Sequence, residues 1–139
     1  MNKENAIALA KRAEAAREAS YSPYSGFAVG AALLTADGKI YTGANIESSS
    51  YTPTICAERV AFFTAVHAGE RSFAAIAIVG GRRGEPLSAF CPPCGVCRQV
   101  MTEFAEGDFE IILYDGDDVK IHTLSELLPL GFGKDNLKT

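Results

Sequence analysis

The amino-acid sequence predicts an α/β sandwich of three layers, α/β/α, in which one sheet carries helices on both faces. Three observations point there. Helical and extended patterns alternate along the chain, which is the signature of layered α/β domains. The segment "FAVGAALLT", residues 27–35, is apolar or small on both of its faces, so both sides of that strand are covered. A second segment, "AAIAIVG" at 74–80, is a short continuous apolar run, again suited to a strand buried on both faces.

Each element can be justified in order. Residues 3–19 set Ile7, Leu9, Ala13 and Ala16 among charges, the pattern of an amphipathic helix. "SYSPYSG", 20–26, breaks it with Pro23 and Gly26. In the strand at 27–35, Phe27, Val29, Ala31 and Leu33 share one face, and Ala28, Gly30, Ala32 and Leu34 the other. Asp37-Gly38 offers a hairpin turn, and "IYTGANI", 40–46, is the returning strand. "CAERVAFFTAVHA", 56–68, reads as a helix stopped at Gly69. After the strand at 74–80, residues 81–93 are loop by composition, and a loop of that length in a compact domain is often functional. A helix from about Cys94 to Ala105, a strand "FEIILY", a turn "DGDD" and a last extended piece "VKIHTL" complete the chain.

The chain has 139 residues, the size of one domain, and no linker, repeat or low-complexity stretch divides it, so 1–139 is read as a single domain. Apolar residues make up 47% and charged residues 22%, enough for a core without disulfide staples. The net charge of −4 offers no basic footprint for nucleic acid. Arg82-Arg83, the one tight basic cluster, reads as a solvated loop. The first twenty residues are charged throughout, unlike a secretory signal, and no apolar run reaches membrane-spanning length. A cytoplasmic location is therefore expected. In that reducing setting, four cysteines suggest metal binding or catalysis before disulfides.

Three of the cysteines lie in "CPPCGVC", 91–97, and the fourth is Cys56. Cys94 and Cys97 form a C-x-x-C pair behind Pro93, a residue suited to a helix start. On a helix, i and i+3 share a face, so the two thiolates can share one metal. Redox dithiols use the same spacing. Cys56 opens its own helix and could bring a third thiolate under the same helix-dipole field. Cys91 fits less well, because extended Pro92-Pro93 separates it from Cys94 by roughly 9 Å. The count decides the chemistry. Four thiolates close a tetrahedral zinc, whereas three leave a position for water, which zinc can activate near neutral pH. An open position needs a proton acceptor, and Glu58 is the candidate, provided Cys56 lies in the first turn and points inward. Arg59 or Arg98, each following a candidate site residue, could offset the thiolate charge. His67 lies about 16 Å along its helix from Cys56, too far to join the cluster, and His122 falls on a candidate edge strand. Readings left open are a closed four-cysteine zinc module for binding partners and an iron–sulfur site built on C-x-x-C-x-x-C.

Taken together, these motifs resemble the small, homotetrameric, zinc-dependent cytidine deaminase family. "CAER", 56–59, resembles its first zinc motif and "PCGVCRQV", 93–100, its second. "YSPYSGFAVGAALLTADGKIYTGANIE", 21–47, resembles its substrate-binding hairpin, and "ELLPLGF", 126–132, the tail that completes a neighbouring subunit's site. The resemblance implies a mixed sheet of about five strands. It implies Zn²⁺ on Cys56, Cys94 and Cys97, with Glu58 as proton shuttle and Arg59 hydrogen-bonded to the thiolates. It further implies that Phe27 stacks on a pyrimidine, that Asn45 and Glu47 bind the sugar hydroxyls, and that the Ala57 backbone meets the base edge. Tyr51 and Phe132 would shape the pocket, Phe132 from an adjacent subunit. The implied reaction is hydrolytic deamination of cytidine or deoxycytidine to uridine or deoxyuridine and ammonia, in pyrimidine salvage. The implied partners are a free nucleoside and three further copies of the chain, with neither nucleic acid nor membrane. A nucleoside antibiotic or a base within nucleic acid are the alternative substrates. Two positions depart from the family pattern: Ser48, where relatives often carry Asn, and Cys91-Pro92, where a serine often precedes the Pro-Cys.

Overall fold

The structure, a computed structural model, describes residues 1–138. Its elements in chain order are α1 (Lys3–Ala16), β1 (Phe27–Thr35), β2 (Ile40–Ala44), α2 (Ala57–His67), β3 (Phe73–Arg82), α3 (Gly95–Phe104), β4 (Glu110–Tyr114), β5 (Val119–Thr123) and α4 (Leu124–Leu127). Short 3₁₀ turns follow α1 at Arg17–Ala19 and close the tail at Lys134–Leu137. The five strands form one sheet in the order β2-β1-β3-β4-β5. It is mixed: β3 and β4 run parallel, and every other neighbouring pair is antiparallel.

Strand alternation sorts the core into two halves. Ala31, Leu33, Ile76, Ile78, Ile111 and Leu113 face α2 and α3, where they meet Phe62 and Met101. Ala32, Ala75, Ala77, Val79, Ile112 and Tyr114 face α1, through Ala6, Leu9, Ala10 and Ala13. The expected three-layer sandwich is therefore present, and β1 is covered on both sides as its sequence requires. The boundaries differ modestly. The first helix tightens into a 3₁₀ turn at Arg17, the hairpin's return strand stops at Ala44, and β3 runs on to Arg82, two residues into the expected loop. Arg82 and Arg83 are both exposed, in keeping with a solvated loop, and Arg83 Nη1 also donates to the Ser20 carbonyl oxygen at 2.7 Å, which ties the loop to the start of the hairpin. The one-turn α4, with its Thr123–Glu126 capping box, lies in a segment read only as extended chain and tail.

Two glycines set the distance between layers. At Gly30, an added methyl group would collide with the Ala13 carbonyl oxygen of α1. At Gly43, it would sit 2.5 Å from the Ala57 carbonyl oxygen and 2.6 Å from the Ala61 nitrogen. The backbone of α2 thus lies directly on β2, and this contact seats the first turn of α2 at the end of the sheet where β2 and β3 finish and β1 begins. We expect Gly43→Ala to lower stability by about 1–3 kcal/mol, the usual cost of overpacking, and to impair the site at the start of α2. Gly38→Ala, whose added methyl meets nothing within 4 Å, should cost only the strain of its positive φ. Thermal unfolding of the two variants checks this, and equal losses would contradict it.

Candidate active site

The site is built at the N-termini of two helices. Cys56 is the N-cap of α2 and Cys94 the N-cap of α3, and neither helix has a side-chain capping hydrogen bond. By contrast, Asn2 caps α1 and Thr123 caps α4 with oxygen acceptors. The first-turn N–H groups of α2 and α3 thus lack the usual oxygen cap. Cys97, one turn into α3, is buried at 1% exposure. The three sulfurs lie within 4.8 Å of one another, and Cys56 Sγ and Cys94 Sγ are 3.8 Å apart. Two thiolates each about 2.3 Å from one tetrahedral zinc would be separated by roughly 3.8 Å, so this donor set fits the ion by chemistry and by spacing. Among the described residues this is the one such cluster, and Cys91 is outside it.

Cys91 has a different surrounding. It is half-buried, and its thiol is pushed up to about 11, chiefly by burial and then by the neighbouring Glu58 and Cys56 charges. It therefore stays a neutral thiol where the other sulfurs share charge. Its side chain fills the space left by the missing side chain of Gly80: a methyl group there would lie 2.7 Å from Cys91 Sγ and 3.0 Å from the Phe27 ring. Gly80 thus leaves room for both Cys91 and the Phe27 ring, and Phe27 remains 41% exposed.

Glu58 is the second residue of α2 and is only 4% exposed. The N-cap placement of Cys56 turns both residues inward, which regular i, i+2 helical geometry would not do. Burial pushes the Glu58 carboxyl up to about 7, and the Cys56 thiolate adds to the rise. Its Oε1 is buried without a hydrogen-bond partner. Arg59 Nη2 donates to Cys56 Sγ at 3.4 Å. Burial works against the Arg59 charge, but its hydrogen bonds to Cys56 and Cys97 outweigh it and hold the guanidinium protonated. The Cys56 sulfur is held well below the thiol range, first by a hydrogen bond from Cys97 and then by Arg59 and Cys94. Cys97 is pushed up in return, by sharing its proton with Cys56 and then by burial. Of the two arginines open as charge partners, it is Arg59 that reaches the sulfurs. Arg98 turns to carbonyls instead.

A cleft is lined by Tyr24, Ser25, Glu47, Tyr51 and Thr54, the last of them two residues before Cys56. Glu47 accepts from the Tyr24 and Ser25 backbone N–H groups at 2.9 and 3.1 Å and from the Ser25 hydroxyl. The Ser25 hydroxyl is the main cause of its lowered pKa, so the carboxylate stays charged. Asn45 is 9% exposed and occupied by the protein: Oδ1 accepts from Ser20 Oγ and Val29 N, and Nδ2 donates to the Phe27 carbonyl oxygen. Its visible work is to lock the base of the hairpin under Phe27. Tyr51 holds φ of 63°, a left-handed conformation costly for an aromatic residue, and its ring meets Tyr24 edge-on at 6.5 Å. Ala57 is buried in the first turn of α2. Ser48 turns into the 48–54 loop, where its N–H donates to Thr54 Oγ1. Phe132 is separate: its ring is 58% exposed on the tail, and the cleft lining does not include it. Sequence reasoning missed Tyr24, Ser25 and Gly80. The "SPYSG" turn held the signal for the first two, since a Ser-rich turn presents N–H and O–H donors together.

This arrangement of sheet, helix starts and three sulfurs describes a zinc-binding α/β domain, and comparison with known proteins agrees. The family model for the cytidine and deoxycytidylate deaminase zinc-binding region matches residues 3–112. A cytidine deaminase of Sporosarcina psychrophila is 49% identical over 138 residues, covering 99% of this chain and 96% of that one. Another, from Halalkalibacterium halodurans, is 47% identical over 130 residues, covering 93% and 95%. The crystal structure of cytidine deaminase from Burkholderia pseudomallei matches with a TM-score of 0.84 at 45% identity, over 95% of this chain and all of that one. The chain belongs to the cytidine deaminase family.

The three-sulfur reading separates the cysteines experimentally. Cys97→Ala should lose zinc, whereas Cys91→Ala should keep it at the wild-type level. Metal analysis of the purified variants checks this, and loss of zinc from Cys91→Ala would restore the four-thiolate site.

Proposed function

We propose that this chain is a cytidine deaminase: it hydrolyses cytidine, and deoxycytidine, to uridine or deoxyuridine and ammonia, as a step in pyrimidine salvage. The observation that carries this reading is the buried, unpartnered Glu58 Oε1 beside three converging sulfurs. A buried acceptor without a partner costs stability unless something arrives to use it, and here the arriving groups are water and the base. When bound to Cys56, Cys94 and Cys97, zinc supplies a Lewis acid that makes water nucleophilic near neutral pH.

The rest is the work of the chain's own residues. Glu58 accepts a proton from the attacking water, whose oxygen bonds to C4 of the ring. The carboxyl then delivers that proton to N3, giving a tetrahedral carbon that bears both oxygen and amine. A second proton passes from the oxygen through Glu58 to the amine, the C4–N bond breaks, and ammonia leaves. Arg59 offsets the thiolate charge. Phe27 stacks on the pyrimidine, and the Ala57 backbone meets its edge. Glu47, kept ionised by Ser25, accepts from the sugar hydroxyls, and Asn45 supports it there with the N–H that Phe27 leaves free. Tyr51 closes the cleft.

The same reading extends to the assembly. Residues 1–139 act as one deaminase domain, and four copies share their active sites, with Phe132 entering from a neighbour. Supporting this, Tyr51, Leu130 and Phe132 are exposed, and an apolar groove runs along Ile46, Ile55, Val60 and Phe63, a pattern that marks association surfaces. Reduced thiolates at the centre suit the cytoplasm. No helix among the described residues is long and apolar enough to cross a membrane, and the net charge of −4 does not suit nucleic acid.

Glu58→Ala should retain zinc and lose turnover by about a hundredfold or more. The ring absorbance of cytidine and deoxycytidine, read beside ammonia release and zinc content, measures it. Wild-type turnover in Glu58→Ala would refute the proton-shuttle role. A zinc-loaded protein that releases no ammonia from either nucleoside would refute the activity.

A further inference from the structure

Arg98 and Gln99 follow the candidate ligand Cys97 directly, and the activity described above gives neither a role. Arg98 Nε donates to the Pro93 carbonyl oxygen at 2.8 Å, and Nη1 donates to the Leu127 carbonyl oxygen at 2.7 Å. Gln99 Nε2 donates to the Phe132 carbonyl oxygen at 2.7 Å. Two adjacent side chains therefore hold the residue just before Cys94 and both ends of the tail segment that bears Phe132.

The energetics favour a specific tether. Pro93 is buried and has no N–H, so its carbonyl is its only backbone polar group, and Arg98 satisfies it. Leu127 is the last residue of α4, where helix carbonyls lack intrahelical partners. One guanidinium meets both needs, because its planar fork can donate in two directions at once. From Leu128 to Phe132 the chain is a short loop with Leu130 at φ 51° and fully exposed. Such a loop keeps its place only if its ends are held.

We propose that Arg98 is a positioning residue that couples the metal loop to the C-terminal tail. Seating Cys94 on zinc seats Pro93, Pro93 seats Arg98, and Arg98 with Gln99 places the tail and Phe132. Metal loading of one chain then orders the segment that the assembly reading hands to its neighbour. The proposal rests on zinc being held by Cys56, Cys94 and Cys97, but it needs no turnover.

The test uses the full-length, zinc-loaded protein and two readouts: zinc release to excess chromogenic chelator, and amide hydrogen exchange over 124–133 with zinc present and removed. In the wild type, removing zinc should speed exchange in that segment. Arg98→Met should release zinc roughly tenfold faster, in line with other outer-shell losses, and should exchange its tail fast whether or not zinc is bound. Gln99→Leu should loosen the tail yet release zinc at the wild-type rate, because the Gln99 side chain donates to the Phe132 carbonyl and not to Pro93. If Arg98→Met does not fold, Arg98→Lys keeps the charge but not the fork, and it too should release zinc faster. Zinc release that ignores both Arg98 substitutions, or a wild-type tail indifferent to zinc, would overturn the coupling. Failure of the underlying ligand reading looks different: the wild-type protein would hold no zinc to release.

Discussion

Two helices begin at the same point in space, and each has a cysteine where an oxygen cap normally stands. That substitution is the constraint on which the rest of the structure depends. Three sulfurs with shared negative charge, one buried and one partly buried, cannot be held together unless positive potential meets them. The first-turn N–H groups of α2 and α3 and the Arg59 guanidinium supply it. A serine or threonine cap at either position would satisfy the helix but remove one of the three sulfur donors. The other two α-helices, with no site to serve, are capped conventionally.

The sheet exists, from the standpoint of the site, to bring those two helix starts together. Gly43 lets α2 rest on β2 without an intervening side chain, and Gly80 leaves room for Cys91 under Phe27. Both depend on missing atoms, so a small residue at the right register matters as much here as any functional group. Burial then sets the chemistry. The same enclosure that keeps Cys91 a neutral thiol raises Glu58 into the range where it can take and give a proton.

Much of this was legible in the sequence. The layers followed from β1 and β3 being apolar on both faces, and the three-sulfur cluster from C-x-x-C spacing plus a cysteine opening another helix. Glu58 was legible only conditionally: its inward direction depends on Cys56 being the N-cap, which no periodicity shows. Less could be seen where the answer lies in tertiary contact. Arg83 is exposed, as a surface charge should be, but its hydrogen bond to the Ser20 carbonyl could not be read because that partner is 63 residues away. The choice between Arg59 and Arg98 could not be made from adjacency alone, since only the fold aims one at sulfur and the other at carbonyls. α4 escaped notice because a single turn has too few residues for a pattern.

The parallel pairing of β3 with β4 has a consequence for how the chain comes to be built. Parallel neighbours need a crossover, and here the crossover is the 83–94 loop with α3, the segment that carries Cys94 and Cys97. Cys56 meets Cys94 across 38 residues of sequence, a pairing that must wait for the hairpin, α2 and β3 to be in place. Closing the one parallel crossover of the sheet and bringing the sulfurs together involve the same segment. In a newly made chain, the cation would therefore find its full set of ligands only once α2 and β3 are in place and α3 has begun, which ties its capture to the folding of the sheet.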